Sequence, residues 1–177
     1  MPGDVTMMRS ARLQRAKSMD WTPTRKQVES GLRDADILVR LAWINRTDFS
    51  PTPEQVGRGL KDENWVLHAA WLRRMDWTPT PEQASAGIND ENSEVRAAWA
   101  RRKDWTPTPE QVDEGLDDFI VDVRIAWAQR LDFTMTQKQI EKGFNDPVSA
   151  VRDAWMNKLK EEQDRFLEDG MDLEMSI

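Results

Sequence analysis

One 28-residue unit occurs five times in this chain without an insertion or a deletion. It is clearest from Met75 to Arg102, which reads MDWTPTPEQASAGINDENSEVRAAWARR. Self-similarity at a fixed period in this range is typical of stacked arrays, in which each unit buries its apolar face against its neighbours. We therefore expect an elongated array whose core runs lengthwise. Position 1 of the five copies is Met19, Thr47, Met75, Lys103 and Leu131.

The first half of each copy carries the signals of a short helix, helix A. In copies two to four a threonine precedes Pro-Glu-Gln, so its hydroxyl can cap the helix, the proline suits the first helical position and the glutamine completes a capping box. A glycine follows inside the helix, where it costs about 1 kcal/mol relative to alanine. Its recurrence predicts that another helix or a tryptophan approaches the backbone there. The caps are Thr52, Thr80 and Thr108, and the glycines are Gly31, Gly59, Gly87, Gly115 and Gly143.

The second half of each copy predicts helix B, with an apolar stripe at i, i+3 and i+4 such as Leu67, Ala70 and Trp71. A tryptophan in a fixed place on this stripe is expected in the core. An aspartate before the stripe is expected to be the N-cap, followed in the last copy by Pro147 at the first helical position. The tryptophans are Trp43, Trp71, Trp99, Trp127 and Trp155, and the aspartates are Asp34, Asp62, Asp90, Asp118 and Asp146.

The two ends differ from the repeats and predict caps. Near the N-terminus, Met8, Arg9 and Ala11 match the Val-Arg-x-Ala of helix B, which places Arg12 in the tryptophan slot. We expect one cooperative domain. Its segments are an N-terminal capping half-repeat (1–18), five repeats (19–46, 47–74, 75–102, 103–130 and 131–158) and an extended acidic C-terminal helix and tail (159–177).

The element D-x4-[VL]-[RH]-x-A, found throughout residues 19–158, resembles the pattern of HEAT and HEAT-like α-solenoid repeats. The short unit is also similar to leucine-rich-repeat variants, in which the first helix is reduced. The resemblance implies paired antiparallel helices, with helix B lining the inner face, and a binding role without an active site. The predicted fold is an all-α, right-handed α-solenoid of five helix pairs.

Composition argues against most catalytic chemistry. The chain has no cysteine and one histidine, which excludes disulfides, a thiolate nucleophile and the usual zinc sites. We find no glycine-rich phosphate loop or serine-nucleophile signature, so we expect no enzyme activity, no cofactor and no small-molecule substrate. The N-terminus lacks the apolar core of a secretory signal, and no apolar run is long enough to span a membrane. These features predict a cytoplasmic protein without membrane contact.

A row of basic residues recurs in helix B, six residues after each aspartate. The structural interpretation is that this row and the aspartates cross-link neighbouring repeats; the alternative is an exposed row that grips phosphates or acidic side chains. A second basic series follows at the end of helix B, where cations interact favourably with the helix dipole and can pair with the aspartates just beyond: Asp20, Asp48, Asp76, Asp104 and Asp132. The candidate phosphate or acidic-ligand contacts are Arg40, His68, Arg73, Arg96, Arg101, Arg124 and Arg152. The second series is Arg46, Arg73, Arg74, Arg101, Arg102, Lys103 and Arg130.

The positions at which the copies disagree are candidates for specificity, because they are free from the demands of stacking. Several apolar residues stand at the start of helix B where the middle copy has Asn92, Ser93 and Glu94. An apolar cluster of this kind is typical of a partner site. The candidate partner-binding residues are Ile37, Leu38, Leu41, Trp65, Val66, Ala69, Phe119, Ile120, Val121 and Ile125.

These patterns predict a non-catalytic protein that binds another protein along the concave helix-B face, as an adaptor, an assembly factor or a stoichiometric inhibitor. Two alternatives stay open. One is a nucleic-acid-binding HEAT-like protein that uses its arginine rows. The other is an acidic decoy that blocks a partner's nucleic-acid site. The net charge of −7 makes the nucleic-acid alternative the weaker one.

Overall fold

The computed structural model describes residues 8–130 and 135–174, with side chains as far as residue 165. Over these residues the chain forms eleven α-helices and no strand, which confirms the all-α class. The helices are α1 (Arg9–Lys17), α2 (Arg25–Leu32), α3 (Ile37–Ile44), α4 (Pro53–Gly59), α5 (Trp65–Arg73), α6 (Pro81–Ile88), α7 (Ser93–Arg101), α8 (Pro109–Leu116), α9 (Val121–Ala128), α10 (Gln137–Phe144) and α11 (Ser149–Glu174).

The three predicted threonines, Thr52, Thr80 and Thr108, are the N-caps of α4, α6 and α8. In α4, for example, the Thr52 hydroxyl accepts the Gln55 N–H at 3.2 Å while the Gln55 side chain accepts the Thr52 N–H at 3.0 Å. The same capping box occurs at Thr24 and Thr136, which lack the following proline. The reciprocal pair of hydrogen bonds is therefore enough to start the helix.

The aspartates before helix B are not its N-caps, so this prediction was wrong. Asp62 instead accepts the N–H of Asn64 at 2.9 Å, and Asn64 itself caps α5 by accepting the Val66 N–H at 3.0 Å. The aspartate thus closes the turn that precedes the helix, and the residue two positions later caps the helix. In the last copy α11 begins at Ser149, so Pro147 is not its first residue.

The chain divides into two compact units, Met1–Thr78 and Pro79–Ile177. In the first unit, α2 packs on α3 and α4 packs on α5, and the helices α1, α3 and α5 contact each other in that order. Their core holds Val39, Trp43, Leu67 and Trp71. Consecutive repeats of this unit are therefore stacked.

The second unit repeats this arrangement. Each helix A packs on the helix B that follows it, and α7 contacts α9, which contacts α11. The A helices α6, α8 and α10 also contact each other in order. Stacking of consecutive repeats is thus seen inside both units, while the right-handed solenoid and its HEAT-like character stay predictions.

The recurrent glycine makes room for the recurrent tryptophan. A methyl group on Gly59 would lie 2.1 Å from Nε1 of Trp71, and the other four glycines face their tryptophans in the same way. The tryptophans are buried, with 1 to 5 % of their surface exposed. Both predictions, close approach at the glycine and a core place for the tryptophan, are confirmed.

The N-terminal cap adopts a different register from the predicted one. Arg12 binds Asp34, 22 residues ahead, as Arg40 faces Asp62. Arg12 is therefore the first member of the basic row, and Arg15 occupies the tryptophan slot. The exposed Arg15 guanidinium stacks on Trp21, 4.6 Å from the ring centre. A charge does replace the aromatic residue at the open side, but three residues later than predicted.

Candidate partner-binding surface

In the first unit, the predicted partner-binding residues lie on α3 and α5, two helices packed against each other. Leu38 is 44 % exposed and Trp65 is 45 % exposed, although both are large and apolar. Val66 and Leu41 are half-buried, and Leu41 also packs on the core. The first two turns of α3 and the first turn of α5 therefore present apolar side chains, which we call the Trp65 patch: Leu38, Leu41, Trp65 and Val66.

Two other candidates on these helices serve the core more than the surface. Ile37 is half-buried and packs against the core cluster, and Ala69 is 5 % exposed. Their side chains are largely occupied by neighbours within the protein. The Trp65 patch is accordingly smaller than the predicted set.

In the second unit, Phe119 is the prominent candidate, with 80 % of its surface exposed. It precedes Ile120, the N-cap of α9, and lies under the Arg96 guanidinium, 5.1 Å from ring centre to Cζ. Ile120, Val121 and Ile125 are half-buried. One exposed ring beneath an arginine can contact a ligand, but the described residues of this unit show no patch comparable with that of α3 and α5.

The basic row inside helix B links consecutive repeats. Arg96 donates from Nε and Nη2 to the carboxylate of Asp118, at 2.6 and 3.0 Å, and from Nη1 to the Asp90 carbonyl at 2.9 Å. The Arg96 and Asp118 side chains are 8 and 10 % exposed. The hydrogen bond to Asp118 outweighs burial and raises the pKa of Arg96. This arginine is engaged on both sides within the protein.

The same geometry recurs one repeat later. Arg124 binds the Asp146 carboxylate at 2.8 and 3.1 Å and the Asp118 carbonyl at 2.8 Å. Burial acts to raise the pKa of Asp146, but hydrogen bonds, among them those from Arg124, keep it below its ordinary value. The structure thus favours the cross-linking interpretation of this row. The first unit holds two further pairs, Arg12 with Asp34 at 2.8 Å and Arg40 with Asp62 at 3.7 Å.

The remaining candidate phosphate contacts differ in their surroundings. His68 is 7 % exposed in α5, and Arg73 and Arg101 are exposed at the ends of α5 and α7. Arg152 donates to the Asp146 carbonyl at 2.6 Å and makes no hydrogen bond to a carboxylate in the described part of the chain, although its charge helps to lower the pKa of Asp146. The candidates therefore do not form one uniform binding row.

The cations at the last position of each copy form a second row, and the sequence analysis predicted their pairing with nearby aspartates but not their burial. Arg46 is 2 % exposed and binds the Asp48 carboxylate at 2.9 and 2.5 Å. It also donates to four carbonyls of the preceding segment: Arg15 at 3.4 Å, Ala16 at 3.1 Å, Ser18 at 2.5 Å and Trp21 at 3.1 Å. These contacts satisfy every N–H of the guanidinium. Arg46, the last residue of copy one, therefore binds both the end of α1 and the beginning of copy two.

Equivalent cations stand at the end of every copy. The hydrogen bond from Arg46, opposed by burial, lowers the pKa of Asp48. The signal in the sequence was the strict recurrence of a cation at repeat position 28. The sequence analysis predicted the pairs with the following aspartates, but it did not predict burial because it grouped these residues with exposed neighbours such as Arg73. The members are Arg46, Arg74, Arg102, Arg130 and Lys158.

The described residues offer no obvious chemistry of another kind. They contain no group of three or more histidine, cysteine or acidic side chains placed to hold a metal ion. None of their helices combines the length and the apolar character needed to cross a bilayer. Comparison with protein-family models, with curated proteins and with solved structures found no match.

Proposed function

We propose that this protein is a non-catalytic interaction module that binds another protein through the Trp65 patch. The observation that supports the proposal most is the exposure of Trp65. The tryptophan at the recurrent slot of the same helix, Trp71, is only 3 % exposed, whereas Trp65 is 45 % exposed. Large aromatic side chains on a surface are the residues that contribute most to protein–protein affinity.

The surroundings of Trp65 suit an interface. Leu38 and Val66 also lie in the first turns of α3 and α5, and these two helices contact each other, which favours one apolar area over scattered side chains. Gathered apolar area gains free energy when a partner removes it from water, at about 25 cal/mol per Å². An adaptor, an assembly factor or a stoichiometric inhibitor with a HEAT-like solenoid would use such a patch.

The arginine rows give less support to a nucleic-acid function. Arg96 and Arg124 use their Nε and Nη2 groups on aspartates, and the chain carries a net charge of −7. A phosphate backbone needs cations that are free to replace its counterions. Arg73 and Arg101 are exposed, so the experiment below includes a nuclease arm.

The test is capture of a protein partner by the tagged full-length chain from native lysate, with and without nuclease. We expect a captured protein that survives nuclease treatment and that is lost with Trp65→Glu. The matched control is Met75→Glu, which places the same charge at a side chain that is 62 % exposed outside the patch. Circular dichroism should show that both variants remain folded.

Two outcomes would contradict the proposal. One is capture that is as strong with Trp65→Glu as with the unchanged chain. The other is capture that disappears after nuclease treatment, which would favour the nucleic-acid alternative.

A further inference from the structure

Two equivalent cavities lie one repeat apart in the second unit, each between the turns that join helix A to helix B in consecutive copies. The first, of about 340 Å³, is lined by Asn89, Glu91, Arg96, Glu114 and Phe119, and we call it the Glu114 cavity. The second, of about 400 Å³, is lined by residues 28 positions later, and we call it the Lys142 cavity. Its members at the same repeat positions are Asp117, Phe119, Arg124, Lys142 and Pro147.

The recurrent charges of both cavities are paired within the protein. In the Glu114 cavity, the Arg96 guanidinium donates to the Asp118 carboxylate and to two backbone carbonyls. In the Lys142 cavity, Arg124 binds the Asp146 carboxylate in the same way. The recurrent arginines therefore serve the fold in both places, and the two cavities differ through their variable positions.

The variable charges are paired in the Lys142 cavity but not in the Glu114 cavity. Lys142 forms an ion pair with Asp117. At the same two repeat positions the other cavity has Glu114 and Asn89, and the Asn89 amide donates to the Ser85 carbonyl at 3.0 Å. The Glu114 carboxylate makes no hydrogen bond or ion pair with the described residues. A carboxylate thus stands where the other cavity has a lysine, and no described cation binds it.

Glu91 and Phe119 complete a surface that suits a cationic side chain. The carboxylate of Glu91 is also exposed and without a partner among the described residues. Phe119 remains 80 % exposed, although the Arg96 guanidinium lies 5.1 Å from its ring centre. A guanidinium group can stack on an aromatic ring and donate to carboxylates through its planar fork, whereas an ammonium group acts as a point charge. The cavity therefore suits an arginine better than a lysine.

We propose that the Glu114 cavity binds an arginine side chain of a partner protein. The guanidinium supplies to Glu114 the opposite charge that Asp117 supplies to Lys142 in the equivalent cavity. Its plane lies against the exposed part of the Phe119 ring, and its edge donates to the carboxylates of Glu114 and Glu91. The net charge of −7 favours the approach of a basic segment. This site contains no residue of the Trp65 patch.

Fluorescence anisotropy of the full-length chain with a labelled peptide, Ala-Arg-Ala-Arg-Ala, tests the proposal at about 0.15 M salt. Three variants, each of which makes the net charge less negative by one, separate the cavity from general attraction between a basic peptide and an acidic protein. The first is Glu114→Gln. The control is Glu110→Gln, at an exposed position of α8 outside the cavity lining. The third combines Asn89→Asp with Glu114→Lys and so copies the ion pair of the Lys142 cavity.

We expect Glu114→Gln to weaken peptide binding about tenfold, through the loss of a charged hydrogen bond. The double variant should weaken binding at least as much, because its new charges pair with each other inside the cavity. Glu110→Gln should change binding less than about twofold, since an exposed charge outside the cavity is screened by salt. Phe119→Ala should weaken binding about fivefold, because the stacked ring is lost.

Equal effects of Glu114→Gln and Glu110→Gln would overturn the proposal. Undiminished binding of a peptide in which citrulline, a neutral analogue of similar shape, replaces arginine would also overturn it, as would a Kd above about 1 mM for the unchanged chain. Circular dichroism should show that every variant remains folded. Trp65→Glu should bind the peptide as the unchanged chain does, so this test and the capture experiment can fail independently.

Discussion

Two glycines of one helix show that the space around a residue decides which side chain the position can accept. Gly57 and Gly59 both belong to α4, but a methyl group on Gly57 would meet nothing within 4 Å, whereas one on Gly59 would overlap Trp71. Gly59→Ala should therefore lower the free energy of unfolding by about 1–3 kcal/mol. Gly57→Ala should raise it by up to about 1 kcal/mol through helix propensity. Urea denaturation of both variants measures the difference.

Equal stability of the two variants, or a more stable Gly59→Ala, would contradict this packing. The recurrence of glycine in the sequence was enough to predict a close approach. It did not decide between a helix and a tryptophan as the neighbour, because both demand the same absence of a side chain. That choice depends on contacts between helix A and helix B, which the spacing alone does not show.

At the scale of helices, buried arginine–carboxylate pairs should contribute more to the free energy of unfolding than exposed pairs do. Arg96→Ala should cost about 3–5 kcal/mol of unfolding free energy, because it leaves the Asp118 carboxylate uncompensated at a buried site. The control is Arg58→Ala, which removes a pair with Glu29 whose side chains are both 36 % exposed. That change should cost less than about 1 kcal/mol. Chemical denaturation of both variants gives the comparison.

If Arg96→Ala were no more harmful than Arg58→Ala, the row inside helix B would not hold repeats together. A free guanidinium available to ligands would then be the better interpretation. The result therefore also bears on the nucleic-acid alternative.

The starts of the helices show which local signals are sufficient. The capping boxes were predicted correctly because all their atoms lie within four residues. The aspartates were misassigned because an aspartate can close a turn or cap a helix with the same acceptor geometry. In copy two, Asn64 stands two residues after Asp62 and takes the capping position. A choice between two adjacent acceptors depends on the backbone path, which the sequence pattern does not specify.

The burial of the cations at repeat position 28, and their bonds to distant carbonyls, could not be predicted from neighbouring residues in the sequence. Arg46 donates to the carbonyl of Ala16, which lies 30 residues earlier in the chain. Charged residues are rarely fully buried, so a general expectation placed them at the surface. Their strict recurrence matched that of the tryptophans and could have indicated a role in stacking.

At the scale of the whole chain, the 28-residue period predicted the helical class. It also separated repeat positions that recur in all five copies from positions that vary between them. It predicted the exposure of the candidate partner-binding residues less completely. Leu38, Trp65 and Phe119 are exposed as expected, but Ala69 is buried. Whether a small apolar residue such as Ala69 is buried or exposed depends on the size of the side chains around it. The repeat pattern does not specify those side chains.

We assign the recurrent slots to the fold and propose that the variable slots serve binding. Its most direct test compares two tryptophans of α5 by urea denaturation of Trp71→Ala and Trp65→Ala. Trp71→Ala should lower the free energy of unfolding by about 3–5 kcal/mol, since the side chain is 3 % exposed. Trp65→Ala should lower it by less than about 1 kcal/mol. Equal losses for the two variants would contradict the account.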